Sequence, residues 1–241
     1  MRRSPLALLD PHDTSSAAAV DRDREACRAS FAHSLRAAVA DDVPYRHWVL
    51  QDVLPAHVAK ALDDLPFTAP PLDGLSGSRE IHNNTRRYID AGNIAEHAVC
   101  RSVAEAFQHA GTVAVVEEVT GARLDGCCLR IEYAQDTDGF WLQPHTDLGV
   151  KKFTLLYYLG PDGHPELGTD IYADAATHSH RAPFEVGAAL AFVPSDRTWH
   201  GFEPRPIPVV RKSLIVNYVT EDWRAREQLA YPDRPVSGRK A

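Results

Sequence analysis

The sequence predicts a mainly β protein with helices, in which an N-terminal helical support precedes a core of the jelly-roll or cupin-like type. After Gly121, eight short runs rich in β-branched and aromatic residues are separated by turn residues. This spacing is typical of a sandwich or a jelly roll. Before Gly121, apolar residues recur at helical spacing. The chain contains no internal repeat and no low-complexity tract.

The N-terminal half contains helical patterns interrupted by proline and glycine. In chain order we expect a disordered lead (residues 1–14), a helix (15–40), a strand ended by Pro55 (45–55), a short amphipathic helix (56–66), a loop rich in Pro, Gly and Ser (67–80) and a helical segment (93–121). In the last segment we expect Gly111 to break the helix and Gly121 to end it.

The C-terminal half contains the predicted core strands. Their sequences are, in order, CCLRIEYA, FWLQPHTD, KKFTLLYYLG, TDIYAD, HRAPFEV, AALAFVP, WHGFEP and RKSLIVNYV. We therefore expect one domain over residues 15–241, which consists of the helical support (15–121), a β-core (122–222) and a C-terminal tail (223–241).

Composition excludes several classes of protein. The net charge is −7 and no run of lysines or arginines occurs, so binding to a nucleic-acid backbone is disfavoured. Small anionic substrates remain compatible with this charge, because a local pair of arginines matters more to them. The four cysteines lack zinc-finger spacing, and we interpret them as reduced packing residues.

The sequence shows no targeting or membrane-spanning pattern. The apolar patch in MRRSPLALLDP is broken by Pro5 and Asp10 and is too short for a secretory signal. No stretch approaches the ~20 apolar residues of a membrane span. We expect a soluble, cytoplasmic protein with a small-molecule substrate, no membrane partner and a monomeric or homodimeric state.

Two histidines and an aspartate form a candidate metal set. His145 and Asp147 lie two residues apart in an extended run, so their side chains point the same way. His200 follows after 52 intervening residues. Two histidines and one carboxylate on a β-scaffold match the facial triad that suits non-haem Fe(II) and leaves positions open for other ligands. Such a site is net positive, which favours an anionic chelate.

A candidate carboxylate receptor follows the second histidine. Strand alternation places Arg211, Ser213, Ile215 and Asn217 on one face. An arginine beside a hydroxyl in a core is suited to bind a carboxylate in bidentate fashion. A buried arginine without an anion is costly, so an inward Arg211 requires an anionic partner. Tyr158 could donate a second hydrogen bond to the same carboxylate.

These motifs together resemble a known family. The segments EYA…GFWLQPHTD, FTLLYYL, GTDIY, EVGAALAF and WHGFEP…VVRKSL are similar to those of the 2-oxoglutarate- and Fe(II)-dependent oxygenases, specifically the prolyl-hydroxylase-like branch. The resemblance covers residues 126–222 and implies a double-stranded β-helix core. The triad by itself is a loose pattern, whereas the triad with Arg-x-Ser and the strand context is specific.

The resemblance also implies roles for individual residues. They are iron ligation by His145, Asp147 and His200, binding of the distal carboxylate of 2-oxoglutarate by Arg211 and Ser213 with help from Tyr158, and lining of the cosubstrate cavity by Tyr133. The implied cofactors are Fe(II), the cosubstrate 2-oxoglutarate and O2. The implied activity is oxidation, most simply hydroxylation, of an unactivated C–H bond, with 2-oxoglutarate converted to succinate and CO2. Because Asp147 is present, halogenation is disfavoured.

Further residues are candidates for substrate recognition. Arg86 and Arg87 are either surface charges, or one of them reaches over the mouth of the barrel and binds a substrate carboxylate or phosphate. Gln143 and Asn217 are expected to face the cavity near the metal. Trp141 shares that face and either forms a wall of the substrate site or packs in the core. A small metabolite, such as an amino acid or a biosynthetic intermediate, is the expected substrate.

Three competing interpretations stay open. In the first, His178, His180 and Glu185, with His200 later in the chain, are similar to the metal set of cupins. That interpretation explains neither Arg211 nor the QPHTD run, and a solvent-facing strand explains His178 and His180 equally well. In the second, the protein is a protein-residue hydroxylase of the prolyl type. In the third, it is a non-catalytic barrel that binds a ligand.

Overall fold

The computed structural model describes residues 11–69, 71–72, 77, 86–147 and 149–238, with the side chains of residues 11–16 left aside. The helices in these ranges are α1 (Pro11–Ala37), α2 (Ala56–Asp63), α3 (Ala91–Glu96), α4 (Ala98–Gln108) and α5 (Ala110–Thr120). The strands are β1 (Ala40–Asp41), β2 (His47–Leu50), β3 (Arg87–Tyr88), β4 (Cys128–Asp136), β5 (Leu142–His145), β6 (Lys151–Gly160), β7 (Asp170–Tyr172), β8 (His178–Arg181), β9 (Ala189–Phe192), β10 (His200–Phe202) and β11 (Arg211–Val219).

The strands form two sheets that together make a jelly roll. The larger sheet has the order β1-β2-β9-β6-β11-β4-β3, and the smaller has the order β5-β10-β7-β8. Each of the eight predicted runs overlaps one of the strands β4 to β11, which confirms the predicted fold class, although β8 begins two residues before the run HRAPFEV. The N-terminal half extends the larger sheet at both edges, with β1 and β2 on one side and β3 on the other.

Helix boundaries differ from the prediction in several places. Helix α1 begins at Pro11, so residues 11–14 of the expected disordered lead are helical. Residues 1–10 of that lead, and most of the loop predicted over 67–80, lie outside the described residues. The helical segment breaks at His109, two residues before the expected Gly111, and the side chain of His109 accepts the backbone N–H of Gly111 and caps the start of α5. Gly121 ends this helix with a φ of +76°, as expected.

The helices pack on the outer face of the larger sheet. Alternate residues of β4 and β11, among them Ile131, Tyr133, Leu214 and Tyr218, are buried in the same apolar cluster as residues of α1 and α4. The hydroxyl of Tyr218 donates to the carbonyl of Phe107 at 2.6 Å, which ties β11 to α4. The other residues of β4 and β11 therefore face the smaller sheet, where the polar site lies.

The four cysteines are buried and form no disulfide, as expected for packing residues. Among the described residues, no helix combines the length and the apolar character that a membrane span requires.

Candidate active site

The three predicted metal ligands come together at one end of the smaller sheet. His145 ends β5 and is directly opposite His200, the first residue of β10. Opposed residues of an antiparallel pair share a face, and the centres of these two rings are 4.4 Å apart. Asp147 follows β5 by two residues, and one ligand atom from each of the three residues lies within 4.8 Å of the others.

Both imidazoles are oriented in the same way. Nδ1 of His145 is 2.9 Å from the carbonyl oxygen of Gln143, and Nδ1 of His200 is 2.9 Å from the carbonyl oxygen of Thr198. A carbonyl oxygen only accepts hydrogen bonds, so each Nδ1 carries the proton and each Nε2 carries the lone pair. Both rings are thus prepared to bind a cation through Nε2.

The carboxylate of Asp147 is buried and held by two donors. Nζ of Lys151 donates to Oδ1 at 2.7 Å, and Oγ1 of Thr154 donates to Oδ2 at 2.7 Å. Oγ1 of Thr154 in turn accepts from the amide of Asn217 at 3.0 Å. Neighbours that hold a metal ligand in one orientation raise the affinity of a site.

Lys151 is a site residue that was not predicted from the sequence. Strand alternation from Thr154 places Lys152, not Lys151, toward the cavity. A register shift between Tyr218 and Val219 in the neighbouring strand changes that alternation, and Lys151 becomes buried beside Asp147.

Arg211 lies in the same cavity and is buried. Its Nε donates to the carbonyl of Leu167 and its Nη1 to Oδ2 of Asp136, both at 2.6 Å. The side chain of Ser213, two residues on, faces the same cavity. Its Oγ is buried and has no hydrogen-bond partner among the described residues. An acceptor from a ligand beside Arg211 would satisfy it.

Tyr158 reaches this cavity only through another residue. Its hydroxyl donates to Oγ1 of Thr169 at 2.9 Å and accepts the backbone N–H of Thr169 at 3.3 Å. Thr169 lines the cavity, and its Oγ1 is 3.5 Å from Nη2 of Arg211. Burial raises the pKa of Tyr158, although the charge of Arg211 partly offsets this. Tyr158 is therefore a neutral support for Thr169 and Arg211.

A chain of alternating charges crosses the cavity and ends at Arg211. Successive N–O distances are 2.8 Å from Arg130 to Glu132, 3.3 Å from Glu132 to Arg86, 3.0 Å from Arg86 to Asp136 and 2.6 Å from Asp136 to Arg211. The contact between Arg86 and Asp136 is within ion-pair distance, but Nη1 of Arg86 is not aligned for a hydrogen bond. Each carboxylate thus lies between two guanidinium groups.

Neighbouring charges keep Glu132 and Arg86 ionised. Burial raises the pKa of Glu132, but the charges of Arg130 and Arg86 outweigh burial and lower it to about 2. Burial lowers the pKa of Arg86, but Asp136 and Glu132 outweigh it and the pKa is raised. Glu132 and Asp136 were not predicted as site residues, although the polar residues that recur in the buried run RIEYAQD were a usable signal.

The two arginines of the predicted substrate pair separate. Arg86 lines the cavity with about 10% of its side chain exposed. Arg87, the next residue, is exposed on β3. Of these two arginines, Arg86 is the one placed to meet a ligand in this cavity.

The expectation that Gln143 faces the cavity is wrong, and Trp141 is not among the described residues that line it. The three residues of β10 from His200 to Phe202 lie opposite four residues of β5, from His145 to Leu142. This bulge reverses the alternation, so that Leu142 lines the cavity and Gln143 is exposed.

Asn217 and Tyr133 also differ from the expectation. Asn217 is fully buried and holds Arg130 and Thr154 from behind, so it supports the cavity without lining it. Tyr133 does not line the cavity. Its hydroxyl donates to the carbonyl of Leu62 at 3.0 Å, toward α2. Alternation along β4 places Tyr133 on the outer face of the sheet.

The cavity as a whole suits a small charged ligand. Its empty space, counted together with the open mouth, is about 770 Å³. Among the described residues, four cationic and three anionic side chains line it, an excess of one positive charge.

The residues of the cupin interpretation do not converge. His178 and His180 belong to two separate groups of potential ligands, and neither group contains Glu185 or His200. Glu185 is exposed.

Three solved structures are similar to this chain over most of its length. A prolyl 4-hydroxylase from Pseudomonas putida has a TM-score of 0.53 and 16% identity, covering 80% of this chain and 98% of its own. A prolyl hydroxylase from Trichoplax adhaerens, in complex with a peptide fragment of the hypoxia inducible factor oxygen degradation domain, has a TM-score of 0.53 and 10% identity, covering 91% and 97%. A prolyl 4-hydroxylase from Phytophthora capsici has a TM-score of 0.55 and 15% identity, covering 85% and 68%.

No protein-family model matches the chain, and no curated protein sequence matches it. The likeness to the solved structures is therefore one of three-dimensional arrangement at low sequence identity. By this likeness the chain has the fold of the prolyl hydroxylases, a jelly roll with helical support.

Proposed function

We propose that this protein is an Fe(II)- and 2-oxoglutarate-dependent oxygenase that oxidises, most simply hydroxylates, a C–H bond of a small metabolite. One observation carries the proposal. Two imidazoles and a carboxylate converge in the same cavity as a buried arginine and a buried serine hydroxyl that has no partner among the described residues.

The ligand set fits Fe(II). His145 and His200 present neutral nitrogens on one side, and Asp147 supplies one negative charge. Two histidines and one carboxylate with open positions are the donor set of non-haem Fe(II) oxygenases. Bound iron with 2-oxoglutarate and O2 supplies the oxidising chemistry, in which succinate and CO2 are released.

The other end of the cavity fits the distal carboxylate of 2-oxoglutarate. Arg211 supplies a guanidinium, and Ser213 supplies a hydroxyl donor that no described residue satisfies. A charge-assisted pair with a second donor fixes both position and orientation. Thr169, supported by Tyr158, keeps the guanidinium in place.

The charge of the cavity bears on the choice of substrate. The excess positive charge and the buried Arg86 favour a small molecule with an anionic group, such as an amino acid or a biosynthetic intermediate. The second candidate is a protein residue, because one structural neighbour is a prolyl hydroxylase in complex with a peptide fragment. A prolyl side chain is neutral and offers Arg86 no anionic group.

Succinate release tests the function. The protein should release succinate only when Fe(II) and 2-oxoglutarate are both present, and candidate substrates should stimulate the release. A panel of free amino acids, their amides and proline-containing peptides, read by succinate and by product mass, separates the two substrate classes.

One pair of variants tests the metal set directly. Asp147→Ala should abolish the turnover, whereas Glu185→Ala, at an exposed carboxylate, should keep it. Loss of turnover in Glu185→Ala alone would favour the cupin interpretation. Wild-type protein that binds neither Fe(II) nor 2-oxoglutarate would overturn the proposed function.

A further inference from the structure

A second group of two histidines and one aspartate lies two strands away from the first. His200 on β10 is opposite Ile171 on β7, and Ile171 is opposite His180 on β8. His180 therefore faces the same side of the smaller sheet as His200. From the larger sheet, His47 on β2 is directly opposite Asp41 on β1. One ligand atom each from Asp41, His47 and His180 lies within 4.8 Å of the others.

The ring geometry of this group differs from that of the first. An imidazole centre lies roughly 3.2 Å from a metal that its nitrogen binds, so two ring centres are roughly 4.5 Å apart at a right angle and roughly 5.2 Å apart at the tetrahedral angle. The centres of His145 and His200 are 4.4 Å apart, close to the right angle of an octahedral site. The centres of His47 and His180 are 5.4 Å apart, close to the tetrahedral value.

Hydrogen bonds orient two members of this second group. His47 is 1% exposed, and its Nδ1 is 2.9 Å from the carbonyl oxygen of Tyr45, so its Nε2 carries the lone pair. Oδ1 of Asp41 accepts the N–H of Val43 at 2.8 Å, which orients the carboxylate.

We propose that Asp41, His47 and His180 bind one Zn²⁺ ion with water as the fourth ligand. Zn²⁺ prefers tetrahedral sites of nitrogen and oxygen donors. Strand β1 is the edge of the larger sheet, and β8 is the edge of the smaller one. The ion therefore links these two edges of the sheets. Among the described residues, neither edge has a further strand to pair with. This site is independent of the proposed oxygenase activity.

Metal binding to the chelator-treated full chain tests the proposal. Wild-type protein titrated with Co²⁺ should bind two equivalents, one of which gives the intense visible absorption of tetrahedral cobalt. Zn²⁺ should displace it and raise the apparent Tm. His180→Ala should lose the intense band and the rise in Tm but keep one equivalent. His145→Ala should also keep one equivalent, but it should retain the intense band and the rise in Tm.

His178→Ala is the matched control, because His178 lies on the same strand but contacts Asp170. It should keep both equivalents. If His180→Ala does not fold, Asp41→Asn, at an exposed position, carries the same expectation. A single equivalent in wild-type protein, or an unchanged intense band in His180→Ala and Asp41→Asn, would overturn the second site and leave the oxygenase proposal untouched.

Discussion

Asp136 neutralises Arg211, the residue proposed to bind the cosubstrate. One oxygen of its carboxylate accepts from Arg211 at 2.6 Å, and the other lies 3.0 Å from Arg86. A dicarboxylate bound to Arg211 would therefore stand next to a carboxylate. Arg86 is placed to compensate Asp136 in that state. The affinity for 2-oxoglutarate then depends on how Asp136 is shared between the two arginines.

Removal of this charge should strengthen cosubstrate binding. We expect Asp136→Asn to bind 2-oxoglutarate or N-oxalylglycine about tenfold more tightly in the presence of Mn²⁺. A tenfold change corresponds to about 1.4 kcal/mol, which is the size of a modest repulsion between two carboxylates within one partly buried site. Isothermal titration calorimetry measures this affinity without turnover.

Glu132→Gln is the control for this experiment. It also removes one negative charge from the chain of alternating charges, but Glu132 does not contact Arg211. Its effect on the affinity for the cosubstrate should therefore be clearly smaller. Weaker binding in Asp136→Asn would show instead that Asp136 orients Arg211.

At the level of elements, the bulge between β5 and β10 positions the metal ligands. It sets His145 opposite His200 and turns Leu142 into the cavity. Gly201 makes this close approach possible, because a Cβ at this position would lie 2.7 Å from the carbonyl oxygen of Leu142. A glycine is required here by the neighbouring strand, not by its own dihedral angles.

A methyl group at Gly201 should therefore disturb the metal site. We expect Gly201→Ala to lower the free energy of unfolding by about 1–3 kcal/mol through overpacking. Mn²⁺ affinity should fall as well, since His145 and His200 would move apart. Urea unfolding and Mn²⁺ titration by electron paramagnetic resonance measure the two effects.

Gly149→Ala serves for comparison, because nothing lies within 4 Å of a Cβ at that position. It should leave both quantities nearly unchanged. Metal affinity that stays at the wild-type value in Gly201→Ala would contradict the role given to the bulge.

On the scale of the whole molecule, the two faces of the larger sheet carry different kinds of residue. The outer face packs against the helices through an apolar cluster, whereas the inner face holds the charge chain from Arg130 to Arg211. Buried charges are tolerated only when they are paired. The free energy of unfolding should therefore depend on pH through the charged residues on the inner face of this sheet.

Glu132 makes this dependence measurable. Its folded pKa is about 2, below the usual 4.5, so the carboxylate stabilises the fold fully above pH 4.5 and progressively less as the pH falls toward 2. The loss amounts to roughly 3 kcal/mol at most. Urea unfolding should show a steeper decline between pH 5 and 3 for wild-type protein than for Glu132→Gln. Parallel declines would contradict the assignment of this acid sensitivity to Glu132.

Much of the fold could be predicted because its signals are local. Alternating apolar residues and turn residues mark β4 to β11, and a glycine with positive φ ends α5. The start of α5 was misplaced because the cap is a histidine side chain, which has no strong sequence signature.

The sequence by itself determined the jelly roll, the spacing of His145, Asp147 and His200, and the face shared by Arg211 and Ser213, because each of these depends on the period of a strand. Only the tertiary structure decided which residues surround them. Bulges reverse the alternation, which brings Lys151 inward and turns Gln143 outward. Ion partners such as Asp136 come from other strands, and no local pattern specifies contacts between residues 75 positions apart.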